Sequence, residues 1–222
     1  MNTDQQKRPF IHAVRKIVPD SVLRERQVFL CLSPKARPIY AWLRLLDFIG
    51  VHSPNMERIR TDARSFLFVC FGNIMRSPMA EAMFRRSAAE ANLCHLGIRS
   101  AGLHAVPGNE AHPRALAASQ EVGVSLAQHR AQLLTAELVS QADVIFAMDF
   151  RNKAEMLALY PDAGHKILML SAYGDGPTRY REIPDPYFGD LEATRHCYAV
   201  LQTCIRNLTN DLATRTTTSV AS

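Results

Sequence analysis

The segment FLFVCFGNIMRSPMAE, residues 66–81, decides the fold of this chain. It opens with four apolar residues, 66–69, a run typical of a buried β-strand. Cys70 ends that run, and five residues separate it from Arg76. Ser77 is a residue type that favours a helix N-cap, and Pro78 suits the first helical position. The segment therefore predicts a strand, a short loop and the N-terminus of a helix.

A loop of this kind is suited to bind an anion. Its backbone N–H groups can point inward, and the helix N-terminus adds partial positive charge. The same field would stabilise a thiolate at Cys70 and make it a nucleophile. Arg76 has a planar fork able to hold two oxygens of a tetrahedral oxyanion. These parts predict transfer of a phosphoryl group to sulfur. The residues expected to hold the substrate in this loop are Phe71, Gly72, Asn73, Ile74, Met75 and Ser77.

A cysteine and an arginine at this spacing also occur by chance, and a cysteine ending an apolar strand is usually a small buried hydrophobe. The full string is more specific, because it resembles the signature of the low-molecular-weight protein tyrosine phosphatases, V-C-x-G-N-x-C-R-S-P-x-A-E. The residues in register are Cys70, Gly72, Asn73, Arg76, Ser77, Pro78, Ala80 and Glu81. The resemblance covers about residues 65–212 and implies a phosphatase that hydrolyses phosphotyrosine through a phosphocysteine intermediate.

The composition is that of an ordinary globular protein, with 47% apolar and 21% charged residues. Its cysteines are odd in number and scattered, which argues against a disulfide framework and against a zinc site. They are Cys31, Cys70, Cys94, Cys197 and Cys204. No apolar run has the length of a transmembrane helix. We therefore expect a reducing, cytoplasmic location, with neither a metal nor a cofactor.

From residue 66 onward the pattern alternates between strands and helices. Strands are predicted at 66–70, 97–101, 142–147 and 166–170, and helices at 78–91, 114–122, 150–160 and 190–212, with a short helix beginning at Thr135. This alternation predicts an α/β fold of the flavodoxin-like or Rossmann-like three-layer type, a four-stranded parallel sheet with helices on both faces. Ligands bind such sheets at the carboxyl ends of the strands, where Cys70 lies. We expect residues 65–212 to form the phosphatase domain and residues 213–222 to be a disordered tail.

Residues 1–64 form a basic extension that resembles no family known to us. They carry twelve Lys and Arg against six Asp and Glu, whereas residues 65–222 carry fourteen against fifteen. A basic face is more often a solvated surface than a binding site, and we expect no nucleic-acid partner. The extension should be mostly helical, with apolar stretches at 11–18 and 22–32. Residues 39–49 read as a strongly apolar helix that ends at Gly50. Such a helix would pack on the neighbouring domain, contact a membrane surface or associate with a second copy.

A phosphatase of this kind also requires a proton donor for the leaving group. The sequence IPDPYFGD places Asp185 between two prolines, a context that by itself indicates only a turn. Its D-P-Y order resembles the acid loop of the same family. The resemblance implies that Asp185 is the general acid in the first step and the general base in the second. It also implies that Tyr187 stacks against the substrate ring, with Phe188 a weaker candidate.

Three residues are candidates for supporting the loop, namely Ser77, Ser100 and His129. Ser77 could donate a hydrogen bond to the thiolate and ease its departure as a leaving group. Asn73 needs an unusual backbone conformation, which asparagine tolerates better than most residues. The family resemblance implies that Asn73 is held in place by Ser100 and His129.

Three departures or additions bear on the site. Met75 stands where the family usually has a second cysteine, so no vicinal disulfide can protect Cys70 and peroxide should oxidise it beyond rescue. His104, Ala105 and Val106 stand where many members have a bulky wall residue, which leaves substrate preference open. A further family motif is matched by Asp149 and Asn152, for which we expect a structural role.

Two other functions remain open at the level of sequence. A thiol-dependent arsenate reductase shares the fold and the loop spacing but relays electrons through further cysteines. One of these lies near the end of the third strand, where this chain reads FAMDF. A phosphoprotein-binding module without turnover would retain the loop, although the intact Cys70, Arg76 and Asp185 argue against it. For the phosphatase, the resemblance suggests a phosphotyrosine protein as substrate, for instance a bacterial tyrosine kinase.

Overall fold

A computed structural model describes residues 20–51, 59–176, 179 and 181–220 of the chain. Its centre is a four-stranded sheet in the order β2-β1-β3-β4, and every strand pair is parallel. The strands are β1 (Ser65–Cys70), β2 (Gly97–Gly102), β3 (Val144–Ala147) and β4 (Ile167–Met169). The predicted fold class is confirmed.

The helices of the described residues alternate with these strands. They are α1 (Asp20–Cys31), α2 (Ala36–Phe48), α3 (Arg76–Glu90), α4 (Pro113–Glu121), α5 (Ala136–Gln141), α6 (Phe150–Leu159) and α7 (Leu191–Val220). Short 3₁₀ segments, Pro161–Lys166 and Leu170–Tyr173, flank β4.

The first helix of the domain does not begin as the sequence predicted. Met75, not Ser77, is the N-cap residue of α3, and no side chain caps the helix there. Ser77 and Pro78 therefore lie inside the first turn. The hydroxyl of Ser77 accordingly serves the cysteine instead of the helix end, as the site geometry shows.

Strand β1 is buried on both faces, as expected of a central strand in a parallel sheet. Phe66 and Phe68 point into one apolar cluster, which is filled by residues of α3 and α7. Leu67 and Val69 point into a second cluster, which contains residues of α6. In the first cluster the Phe68 and Phe146 rings stack with centroids 5.4 Å apart. The sheet thus has a helical layer on each side.

The second cluster is completed by the N-terminal extension. Ala36 and Tyr40 of α2 are buried in it, so the extension shares the core of the catalytic domain. The opposite face of α2 is open to solvent, with Trp42 58% and Phe48 85% exposed. The helix ends at Phe48, and the predicted capping glycine follows at Gly50, whose left-handed φ of +69° lets Val51 N donate to Leu46 O over 2.9 Å. Three roles were considered for this helix, and the structure shows one of them, packing on the catalytic domain. The apolar stretch at 11–18 lies outside the described residues.

The C-terminal helix is longer than the sequence predicted. Helix α7 continues to Val220, so residues 213–220 are helical and do not form the expected disordered tail. Arg215 stabilises the additional turns at the end of α7. It pairs with Asp211 one turn earlier at 2.7 Å and donates to Ile59 O over the same distance.

Candidate active site

Three strand ends meet around Cys70. It is the last residue of β1 and is paired in register with Gly102 at the end of β2, while β3 lies on the other side of β1. Residues 71–75 then turn into the N-terminus of α3, whose first N–H groups have no partner within the helix. Asn73 adopts a left-handed φ of 54°, which bends the loop around the sulfur. The arrangement is the strand, short loop and helix N-terminus that the sequence predicted.

Two donors are placed on the Cys70 sulfur. Ser77 Oγ lies 3.0 Å from Sγ, and the backbone N–H of Asn73 donates to Sγ over 3.3 Å. Ser77 Oγ receives a hydrogen bond from the Asn73 amide, and its own proton can be donated to the sulfur or to Ala101 O, which lies 3.2 Å away. Both contacts would stabilise a thiolate, and Cys70 is buried.

The unusual conformation of Asn73 is held from several directions. Its amide Nδ2 donates to Ser100 Oγ over 2.9 Å, and its Oδ1 accepts from Gln132 N over 2.9 Å. His129 Nε2 lies 2.7 Å from the Asn73 carbonyl oxygen. The structure thus brings the predicted Ser100 and His129 to the loop. It also adds Glu81, which accepts from the Ser100 hydroxyl over 2.5 Å.

Arg76 is buried at the centre of the site, with only 3% of its side chain exposed. Its Nη1 lies 2.6 Å from Asp149 Oδ2 and donates to Ile183 O over 3.3 Å, while Nη2 lies 2.7 Å from Asp185 Oδ2. Burial alone would lower the pKa of Arg76. The carboxylates of Asp149 and Asp185 outweigh that effect and hold the pKa above its ordinary value. The guanidinium is therefore a permanent positive charge beside the loop.

The segment containing Asp185 closes over this arginine. The Asp185 side chain is 45% exposed, so it can be reached from solvent while bonded to Arg76. Its Oδ1 accepts from Tyr187 N over 3.2 Å, and Arg114 donates to the Tyr187 carbonyl over 2.6 Å. The Tyr187 ring lies against His112 with centroids 5.9 Å apart. Phe188 is almost wholly exposed.

A cluster of aromatic and charged side chains lies beside the loop at Phe71. The Phe71 ring is 4.5 Å from the His104 ring, and the Arg151 guanidinium carbon lies 4.5 Å from the Phe71 centroid. Glu155 holds both partners, since it lies 2.7 Å from His104 Nε2 and 3.3 Å from Arg151 Nε. The His104 ring thus forms part of the wall beside Phe71, where the sequence left substrate preference open.

The sequence matches the family model of the low molecular weight phosphotyrosine protein phosphatases over residues 65–218. The chain belongs to this family. It is 36% identical over 139 residues to a probable low molecular weight protein-tyrosine-phosphatase, EpsP, of Ralstonia nicotianae, covering 63% of this chain and 89% of that protein. It is also 34% identical over 146 residues to a protein-arginine-phosphatase of Bacillus subtilis, covering 66% of this chain and 95% of that protein.

Solved structures agree with this assignment. The tyrosine phosphatase Wzb from Escherichia coli K30, in complex with sulphate, superposes with a TM-score of 0.62 at 29% identity. The match covers 68% of this chain and 99% of that one. The chain is therefore a phosphoric monoester hydrolase of the low-molecular-weight phosphatase type. The predicted family and enzyme class are confirmed, and residues 1–64 lie outside the family match.

Within the phosphatase loop, Gly72, Asn73 and Met75 can contact a phosphate only through their backbones. The Asn73 side chain instead bonds Ser77 and Ser100. The side chains of Asn73 and Met75 are buried, and the Met75 carbonyl accepts from Tyr198 Oη over 3.3 Å. Gly72 has no side chain, and Ile74 is half-buried beside it. In the described part of the chain, no cluster of three or more His, Cys, Asp or Glu is arranged to hold a metal ion. No described helix is long and apolar enough to cross a bilayer.

Some residues of this phosphatase site were missed or undervalued by sequence reasoning. Asp149 was expected to be structural, and it does cap α6 by accepting from Asn152 N over 2.7 Å. It also binds Arg76 directly, and its place just beyond the end of β3 could have indicated this. Gln132 carried no such signal, because its main contact to the loop is made by its backbone N–H.

Proposed function

We propose that this chain hydrolyses phosphotyrosine in proteins, with Cys70 as nucleophile, Arg76 as phosphate-binding cation and Asp185 as general acid and base. The main support is the position of Arg76. Its backbone begins the helix that follows the Cys70 loop, and its buried guanidinium contacts Asp185, 109 residues further along the chain. One residue thereby joins the nucleophile loop to the acid loop.

In the first step the Cys70 thiolate attacks phosphorus, forming an S–P bond while the P–O bond to the aryl group breaks. Asp185 in its acid form donates a proton to the departing phenolate oxygen. The phosphate oxygens accept hydrogen bonds from Arg76 and from loop N–H groups. These donors stabilise the negative charge that is spread over the three equatorial oxygens of the transferring phosphoryl group. Because Asp185 is paired with Arg76 in the structure, the incoming phosphate has to replace that carboxylate on the guanidinium.

In the second step Asp185, now a carboxylate, removes a proton from water. The resulting hydroxide attacks phosphorus, the S–P bond breaks, and Cys70 leaves as a thiolate. Ser77 lowers the cost of this departure because its hydroxyl, 3.0 Å from Sγ, can donate to the developing negative charge. The enzyme returns to its starting form with inorganic phosphate released.

The relatives include both tyrosine and arginine phosphatases. The substrate class therefore depends on the side chains at the entrance of the site, next to the group that carries the phosphate. Phosphoarginine presents a cationic guanidinium next to the reacting phosphorus, whereas phosphotyrosine presents a neutral aromatic ring. Here Arg151 stands over Phe71 at the edge of the loop, which disfavours a second cation. The exposed rings of Phe71 and Tyr187 offer aromatic surface instead. Both features favour phosphotyrosine.

The test is hydrolysis of a phosphotyrosine peptide and of the matching phosphoarginine peptide by the wild type, Cys70→Ser and Asp185→Asn. We expect the wild type to prefer phosphotyrosine, Cys70→Ser to be inactive, and Asp185→Asn to lose about 10² to 10⁴ in kcat/KM. An inactive wild type would favour a phosphoprotein-binding module. A loss confined to Cys70→Ser would leave the nucleophile correct and the acid wrong, and a preference for phosphoarginine would refute the substrate class.

A tyrosine-phosphorylated protein, for instance a bacterial tyrosine kinase, is the substrate that we propose for this site. Phosphotyrosine peptides with acidic flanking residues can be compared with peptides whose flanking residues are neutral. The comparison would test whether Arg151, beside the entrance of the site, favours acidic substrates. We also propose a cytoplasmic location, because the Cys70 thiol has to remain reduced for the reaction to occur.

A further inference from the structure

Arg44 joins the N-terminal extension to the catalytic domain. From α2 its Nη1 reaches Glu182 Oε2 at 3.1 Å, and its guanidinium carbon lies 5.4 Å from the centroid of the Phe150 ring. On the side of the extension it forms an ion pair with Glu25 and donates from Nε to Tyr40 Oη over 3.1 Å. Its side chain is 30% exposed, which makes this a largely sheltered contact. Glu25, Tyr40 and Phe150 are held in helices, whereas Glu182 lies in the loop before α7.

Glu182 attaches the loop that carries Asp185 to the N-terminus of α6. It lies three residues before Asp185, and its Oε1 accepts from Phe150 N, the first residue of α6, over 2.9 Å. The next residue, Ile183, donates from its N–H to Met148 O over 2.8 Å. The Arg44 contact thus acts on the segment that determines where Asp185 stands.

The charge balance at Glu182 explains why it needs a cation. Burial, together with the Asp149 carboxylate nearby, raises the pKa of Glu182, while Arg44 acts in the opposite direction. Without Arg44 the partly buried Glu182 carboxylate would lie near Asp149 with only the Phe150 N–H to compensate its charge. It would then bind a proton or turn towards solvent, and either change weakens its hold on the loop.

We propose that Arg44 is a positioning residue for the general acid: from outside the family domain it holds Glu182, and through it the loop that carries Asp185. The inference rests on the proposed function, because it assumes that Asp185 is the acid. It gives the extension a role in catalysis that Arg44 exerts through Glu182, without contact to the reacting atoms.

The test compares Arg44→Met with Arg37→Met in the full chain. Arg37 lies on the same helix but donates to the carbonyls of Leu30 and Leu32, away from the acid loop, and serves as the matched control. The readout is kcat/KM for phenyl phosphate and for p-nitrophenyl phosphate, because the poorer leaving group depends more on the general acid. We expect Arg44→Met to lose on the order of tenfold with phenyl phosphate and clearly less with p-nitrophenyl phosphate. Arg37→Met should leave the ratio of the two substrates unchanged, and Arg44→Lys should recover part of the loss.

The double variant Arg44→Met/Asp185→Asn separates two claims, that Asp185 is the general acid and that Arg44 acts through it. If Arg44 acts through Asp185, it should have no further effect once that carboxylate is absent. An equal loss on both substrates, or the same loss in the Asp185→Asn background, would mean that Arg44 only supports the fold and would overturn the proposal. If Asp185→Asn alone had no effect, the assignment of the acid itself would fail. Thermal unfolding of each variant shows that it is folded at the assay temperature.

Discussion

Gly102 is the residue whose substitution should damage the phosphatase loop most directly without touching any of its functional side chains. It ends β2 beside Cys70, and the loop passes close against its backbone. A Cβ at this position would lie 2.8 Å from Asn73 N, 2.9 Å from the Gly72 carbonyl carbon and 2.9 Å from Phe71 O. All three neighbours are backbone atoms, so no side chain can rotate away.

The expected size of the effect follows from these distances. Non-bonded heavy atoms prefer separations of about 3.5 to 4 Å, so Gly102→Ala must push the loop away by roughly 0.5 Å or more. Overpacking of this kind typically costs about 1–3 kcal/mol of stability. Since a displacement of about 1 Å can cost 10²-fold in rate, we expect kcat/KM to fall by at least about tenfold.

The matched control is Gly97→Ala at the other end of the same strand. A Cβ there would meet nothing closer than Arg64 O at 3.7 Å, which is ordinary contact. This variant should keep full activity and gain up to about 1 kcal/mol, because alanine restricts the unfolded chain more than glycine does. Urea unfolding and p-nitrophenyl phosphate hydrolysis of both variants provide the comparison. Equal activity and stability of the two would refute the close approach of the loop to Gly102.

Three further predictions concern the core, an ionisable group and oxidation. Tyr40→Ala should lose about 3–5 kcal/mol in urea unfolding because the ring is buried under α6, whereas Trp42→Ala on the exposed face should change stability by no more than about 0.5 kcal/mol. The raised pKa of Glu182 means that its protonated form adds stability below about pH 4.3 that is lost as pH rises through the folded-state pKa. Glu182→Gln should therefore gain stability relative to wild type as pH is raised from about 4.3 towards neutrality, and a pH-independent difference would contradict this. Peroxide should inactivate the enzyme without recovery by thiols, since burial raises the pKa of Cys197 to about 12 and leaves it a poor partner for Cys70. A Cys70 disulfide detected by mass spectrometry would disprove it.

The sheet and its helices could be predicted from the sequence because their signals are local. The apolar run VIFA, residues 144–147, is enough to indicate a buried strand. Thr135 caps α5 as its residue type predicts, accepting from Leu138 N over 3.2 Å. The predicted helix boundaries were less accurate where one residue can serve either as a helix cap or as part of the site. Ser77 has the chemistry of an N-cap, but a hydroxyl beside a sulfur has more to stabilise there than at the helix end.

The phosphatase site could be predicted as far as its residues form a contiguous motif. The loop and the D-P-Y segment are such motifs, and Arg76 does meet Asp185. The remaining contacts depend on distances across the fold that no local pattern encodes. Asp149 reaches Arg76 across 73 residues, and Gln132 contacts Asn73 through a backbone N–H that every residue except proline possesses. These contacts follow from the sheet order, which brings the ends of β1, β2 and β3 together.

The basic character of the extension acquires a different meaning once its contacts are known. Arg44 and Arg37 are both engaged within the chain, by carboxylates in one case and by helix-end carbonyls in the other. Arg60 pairs with Asp62 at 2.7 Å. Of these three, Arg44 is the arginine whose charge is largely engaged within the chain, because its side chain is 30% exposed and pairs with carboxylates, whereas that of Arg60 is 74% exposed. Arg44 thus provides a cation for the partly buried Glu182 carboxylate at the base of the loop that carries Asp185. A catalytic domain that keeps Glu182 there needs a partner for it, and the extension supplies that partner from the same core.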